Sequence, residues 1–256
     1  MKFKKILLLL LIIFLVFIVY KLGFDNKINY VALGDSISLG QGPYGEISYG
    51  YTDYVADYLE NNHILKNYNK QYSKSGNKIE DIIDYINTDK TISFDENINI
   101  KRILRESDLV TISVGINDFL EEFNILNINN ELKEKDQLYK KIDKLSIEFE
   151  KMLILIKKYA KSNIIVVGYY NPYPNSTIYK NEIDKLVKYG NKIIKNISDK
   201  NKVQFIDIFS EFNNQKKYLP NPSDIHPNTS GYRAIFYKIK PTIDNIFIKK
   251  STEKTL

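Results

Sequence analysis

The stretch Leu109-Val110-Thr111-Ile112-Ser113-Val114 is the strongest constraint on what this chain can fold into. The run carries no charge, only Thr111 and Ser113 interrupt its apolar side chains, and it reads as a strand covered on both faces. Four further strand-like runs lie at 28–33, 68–73, 164–167 and 203–208. Between them lie stretches with helical spacing at 50–60, 78–86, 130–160, 178–198 and 230–248. Strands that alternate with helices imply an α/β, three-layer α/β/α domain with a parallel sheet of about five strands. A chain of 256 residues is long enough for one such domain with a full core. In sheets of this kind, ligands sit beyond the carboxyl ends of the strands.

Three short segments supply chemistry at that edge. Gly34-Asp35-Ser36 follows the first strand, and Gly115-Ile116-Asn117-Asp118 follows the central one. Asp224-Ile225-His226-Pro227 arrives from a late loop and carries one of only two histidines. A serine is a weak nucleophile until a base takes its proton, and the tetrahedral intermediate then needs donors for its oxyanion. Ser36, His226 and Asn117 are of the types those roles require. Taken singly, each also has an ordinary structural reading: Ser36 as a helix N-cap, Asn117 as a plain turn residue, Gly76 as a turn glycine. Asp35 is expected to fix its turn, Asp118 to brace its loop, His63 to lie on the surface and Asp207 to end a strand.

Together with Ser75-Gly76-Asn77, these segments resemble the four motif blocks of the GDSL/SGNH hydrolase superfamily, in the family's order, and the resemblance spans roughly 28–248. It implies the SGNH-hydrolase, flavodoxin-like form of the α/β fold. It implies Ser36 as nucleophile, His226 as base, and an oxyanion hole made by the backbone N–H groups of Ser36 and Gly76 with the Asn117 side chain. It implies no metal and no organic cofactor. The last block departs from the family's D-x-x-H pattern: Ser223 stands three residues before the histidine, and Asp224 stands two before it. Asp224 is the expected orienting acid, and a Ser36–His226 dyad held by a backbone carbonyl is the alternative. The implied activity is serine ester hydrolysis on lipid or O-acyl glycan esters. An acyl transferase using the same serine and a non-catalytic envelope-binding module are the competing readings.

Two other patterns fail. Gly40-Gln41-Gly42-Pro43-Tyr44-Gly45 satisfies G-x-G-x-x-G but lies beyond Ser36, does not directly follow the strand, and contains Pro43, so it reads as a loop beside the nucleophile. Ser36-Ile37-Ser38 lacks the second glycine of the G-x-S-x-G elbow. The chain has no cysteine, which excludes a thiol nucleophile, a thiolate metal site, disulfides and lipidation at an N-terminal cysteine. Two histidines do not make a histidine-rich metal site.

Formal charge is +6, and four of those six charges sit at Lys2, Lys4, Lys5 and Lys21, so the remainder is too nearly neutral for a nucleic-acid footprint. The same start has the form of an export signal: a basic Met1–Lys5, then an apolar run over 6–20 closed by Lys21. No A-x-A-like cleavage site follows at Tyr20-Lys21-Leu22-Gly23-Phe24. The segment 1–24 is therefore expected to be an uncleaved signal-anchor, with a cleaved signal peptide as the alternative. Residues 25–256 form the hydrolase domain in this reading. Lysines ahead of the run predict an N-terminus inside and a catalytic domain outside the cell membrane.

Overall fold

The computed structural model describes residues 10–14, 27–92, 98–122, 135–174, 179–213 and 215–248. Five parallel strands are present: β1 (Ile28–Gly34), β2 (Leu65–Asn69), β3 (Leu109–Ser113), β4 (Asn163–Val167) and β5 (Gln204–Ile206). They pair in the order β2-β1-β3-β4-β5, which places β3 at the centre. Every residue of β3 is buried, as its sequence requires. Register aligns Tyr30 with Leu109 and Gly34 with Ser113, so β1 and β3 end level with each other.

Side chains alternate between two cores, as the two-residue period of a strand dictates. Val31, Leu33, Val110, Ile112, Ile164 and Val166 face one core. It is closed by helices α3 (Ile79–Asn87), α4 (Ile100–Glu106), α6 (Lys135–Tyr159) and α7 (Lys180–Lys200). Tyr30, Ala32, Leu109, Ile165 and Val167 face the other, closed by α2 (Tyr51–Asn61) and α9 (Thr229–Ile243). Three short helices, α1 (Ser36–Leu39), α5 (Ile116–Glu122) and α8 (Phe209–Phe212), sit just beyond the ends of β1, β3 and β5. This is the three-layer architecture expected from the alternation of runs.

Three details differ from that expectation. The second strand is Leu65–Asn69, not 68–73; residues 70–75 form turns, with Ser73 bridging only to Gly34. β2 is an edge strand and half-exposed, so its sequence carries little apolar signal. Buried Tyr72 lent strand-like character to the turn instead; its hydroxyl donates to Lys90 O at 2.5 Å. Helix α4, seven residues long and N-capped by the Asn99 side chain, went unread. The last strand is confined to Gln204–Ile206.

The apolar run over 6–20 lies outside the described residues except for the helical 10–14. Among the described residues, no helix is long and apolar enough to cross a membrane.

Candidate active site

The nucleophile turn begins where β1 meets β3. Gly34 has φ 153°, and a Cβ there would lie 2.0 Å from Ser113 O, so the close approach of the two strand ends admits only glycine. The Asp35 N–H donates to Ser113 O, and the Asp35 carboxylate accepts from Ile37 N at 2.9 Å as the N-cap of α1. Asp35, not Ser36, is thus the cap, and it fixes the turn as expected. Ser36 becomes the first residue of α1, buried to 2% exposure, with a backbone N–H that has no acceptor within the helix. Burial pushes the Asp35 carboxyl up to about 7; the Ile37 N–H opposes the rise, and nearby Asp118 adds to it.

The acid–base loop brings His226 to the serine from 190 residues away. His226 Nε2 lies 2.8 Å from Ser36 Oγ, and Nδ1 lies 2.7 Å from Asp224 Oδ1. The same Oδ1 accepts from the His226 backbone N–H at 2.7 Å. That tight local turn is how an acid only two residues away reaches the imidazole. Ser223 is exposed, and its backbone N–H donates to Asn221 Oδ1. Tyr170 Oη donates to Ile225 O at 2.6 Å and ties the loop to the end of β4. Asn221 Nδ2 donates to Pro43 O, which joins it to the 40–45 loop beside the nucleophile.

The two other groups expected to donate to an oxyanion lie in the turns after β2 and directly after β3. Asn117, in the first turn of α5, donates through Nδ2 to Asn77 O at 2.9 Å. A side-chain amide has two N–H groups, so a second remains to be offered. Gly76 is exposed with φ 82°, and its N–H has no acceptor among the described residues. Asp118 braces the two segments by accepting from Ile79 N, and burial raises its carboxyl above the usual range.

Asn77 is the residue of the second motif segment to which motif reading gave no role. It is buried, its amide donates to Gly34 O and Tyr72 O, and its Oδ1 accepts from Tyr85 Oη. Asn77 therefore links three motif segments: its side chain bonds the nucleophile segment, and its backbone carbonyl accepts from Asn117 of the third. His63 is exposed, and Asp207 accepts from Phe209 N, both as expected. Among the described residues, no three His, Asp or Glu side chains group to hold a metal.

The model of the GDSL-like lipase/acylhydrolase family matches residues 32–234, a span that includes every residue of this site. The chain belongs to that family. With the family comes the reaction class, ester hydrolysis. The uncharacterized protein YpmR of Bacillus subtilis (strain 168) is 27% identical to this GDSL-family chain over 228 residues, covering 85% of this chain and 82% of that one. Among solved structures, the lipase Lip_vut3 from a goat rumen metagenome superposes with a TM-score of 0.67 at 22% identity, over 84% of this chain and 97% of its own. An extracellular lipase from Streptomyces rimosus superposes at 0.65 with 18% identity, over 84% and 99%. Axe2, an acetylxylan esterase from Geobacillus stearothermophilus, superposes at 0.58 with 20% identity, over 86% and 96%. At these identities the three structures speak to the shared fold alone.

Proposed function

We propose that this protein is a serine esterase that cleaves carboxylic esters, of lipids or O-acylated glycans, through an acyl-enzyme on Ser36. The observation that carries this reading is the continuous relay from Ser36 Oγ to His226 Nε2 at 2.8 Å and from His226 Nδ1 to Asp224 Oδ1 at 2.7 Å. With the Nδ1 proton donated to Asp224, Nε2 accepts the Ser36 proton as the alkoxide attacks the ester carbonyl. The oxyanion takes the N–H groups of Ser36 and Gly76 and the free N–H of Asn117. Protonated His226 then gives its proton to the leaving alcohol. A water, deprotonated by His226, attacks the acyl carbonyl and releases the acid and free Ser36.

Treatment with a fluorophosphonate tests the nucleophile. Label is expected on Ser36, and Ser36→Ala is expected to lose both label and ester hydrolysis, the latter by about 10⁶-fold in kcat, while keeping its circular dichroism spectrum. Label retained on another serine in that variant would sink the assignment. Acyl transfer to an added alcohol in excess of hydrolysis would make the enzyme a transferase.

We further propose that residues 1–24 anchor the hydrolase domain on the outer side of the cell membrane. The basic start, the apolar run over 6–20 and the missing cleavage site support this. Protease added to intact cells is expected to digest the catalytic domain while the N-terminus stays with the membrane fraction. Mature protein in the medium, beginning near Phe24, would show cleavage instead.

A further inference from the structure

An apolar cavity lies between α5, α6 and α7, with about 760 Å³ of atom-free space when the open solvent at its mouth is included. Ile79, Gly115, Ile116, Phe119, Leu186 and Val187 are among the residues that line it. Three observations tie this space to the reaction.

The first is position. Ile116 immediately precedes Asn117, and Ile79 follows Asn77, whose carbonyl holds the Asn117 amide. Ile116, Tyr169 and Pro172 are also shared with a smaller cavity whose lining includes Asp35 and Ile225, the chain neighbours of Ser36 and His226. The second is the stereochemistry of acyl transfer. The leaving alcohol takes its proton from His226, so it lies toward the 221–226 loop, and the acyl chain, a separate substituent of the tetrahedral carbon, points away from that loop.

The third is Gly190. It stands well inside the 21-residue α7, where glycine weakens a helix relative to alanine. Neither a positive φ nor a close backbone neighbour requires it there. A Cβ at Gly190 would meet only Ile142 Cγ2, at an ordinary 3.8 Å. Gly190 lines the cavity, and what its missing side chain leaves is room. The Tyr169 hydroxyl, the polar group nearest Gly115, is engaged by Val114 O at 2.7 Å and offers the cavity no free donor.

The geometry points to this cavity as the site of the substrate's acyl chain, with medium-length or longer saturated acyl groups preferred over acetyl; this deepens the esterase reading above and rests on it for the reaction. Burial of one methylene is expected to raise kcat/KM by about fourfold until the cavity is filled.

Two measurements test the cavity and the reaction separately. Decanoate, kept below its aggregation threshold, is titrated by calorimetry into Ser36→Ala protein and into the same protein carrying Gly190→Leu or Ser146→Phe, which fill the space from α7 and from α6. Saturable binding is expected, weakened at least tenfold by either filling variant that keeps its circular dichroism spectrum. p-Nitrophenyl acetate, butyrate and octanoate are then compared with the unaltered serine, where the octanoate-to-acetate ratio of kcat/KM is expected to fall at least tenfold on filling.

No decanoate binding, or equal affinity in folded filled variants, overturns the inference, as does an enzyme fastest on acetate. Decanoate binding that the filling variants abolish, with no ester of any length hydrolysed, upholds the cavity and refutes the esterase reading instead.

Discussion

The serine-and-oxyanion half of the site grows out of strand ends, whereas the acid–base half is carried by a loop. Ser36 and Asn117 stand within a few residues of β1 and β3, whose register sets them level. Buried groups then lock their turns: Asp35 on Ile37 N, Asn77 on Gly34 O, and Asp118 on Ile79 N. Among the described residues, the segment that carries Asp224 and His226 has only a short 3₁₀ turn at Lys216–Tyr218 between α8 and α9. It is held by side-chain turns at Asn221 and Asp224 and by the Tyr170 hydroxyl on Ile225 O. Sheet-borne groups inherit their placement from hydrogen-bond register; the loop-borne pair depends on a few individual polar contacts. That difference explains how the last motif tolerates an irregular spacing. A loop turn can re-aim a carboxylate, while a strand slipped by one residue turns every side chain to the other face.

The sharpest way to break this comparison is at the loop-borne acid. Asp224→Asn keeps the shape of the turn but removes the charge that stabilises the imidazolium, and kcat is expected to fall by about 10⁴. Ser223→Ala, at the family's usual acid position, is expected to stay within about twofold of the parent. Steady-state rates on one soluble ester decide it. Equal, small losses would mean that a backbone group orients His226 and that the loop holds a dyad.

The next effect belongs to the strand-borne half. Asn117→Ala removes one oxyanion donor and leaves Asn77 O without its partner, and kcat is expected to fall about 10²–10³-fold with a smaller change in KM. A loss confined to KM would turn Asn117 into a substrate-binding residue.

The smallest effect is on stability and comes from the buried cap of the nucleophile turn. The Asp35 carboxyl has an ordinary value near 3.8 and is raised to about 7 in the folded chain. Below 3.8 both folded and unfolded states are protonated, and the cap costs nothing. As pH rises toward 7 and through it, the unfolded chain releases this proton before the folded chain does, so stability is lost across that window. Asp35→Asn keeps an acceptor for Ile37 N without a titrating group. The melting temperature of the parent is therefore expected to fall relative to the variant between about pH 4 and about 7. Parallel melting curves against pH would show that Asp35 is not the group that titrates there.

The parts of the fold that were legible were those where one element by itself meets a strong requirement. β3 could be read because every residue of it had to be covered, and α7 because its apolar positions recur at helical spacing. β2 was misplaced because a half-exposed edge strand has little apolar pattern, while Tyr72 buries an aromatic ring in a turn. For α4, the Asn99 cap was a usable signal; its side chain accepts from Arg102 N, three residues on. Asn77 offered only its place beside a motif glycine, and its hydrogen bonds reach Gly34, Tyr72, Tyr85 and Asn117.

Residue order alone determined the strand-and-helix alternation, the edge of the sheet at which chemistry would gather, and the motif segments that carry Ser36, Asn117 and His226. All of these follow from local periodicity and from short motifs with a fixed place after a strand. Tertiary structure decided which group orients His226, since Asp224 Oδ1 reaches Nδ1 only once the loop turn accepts the His226 N–H on the same oxygen. It also decided the Asn77 network and the apolar cavity between α5, α6 and α7. Those features are made by side chains from segments far apart in the chain, and their distances are set by how the helices pack on the sheet, which no local pattern encodes.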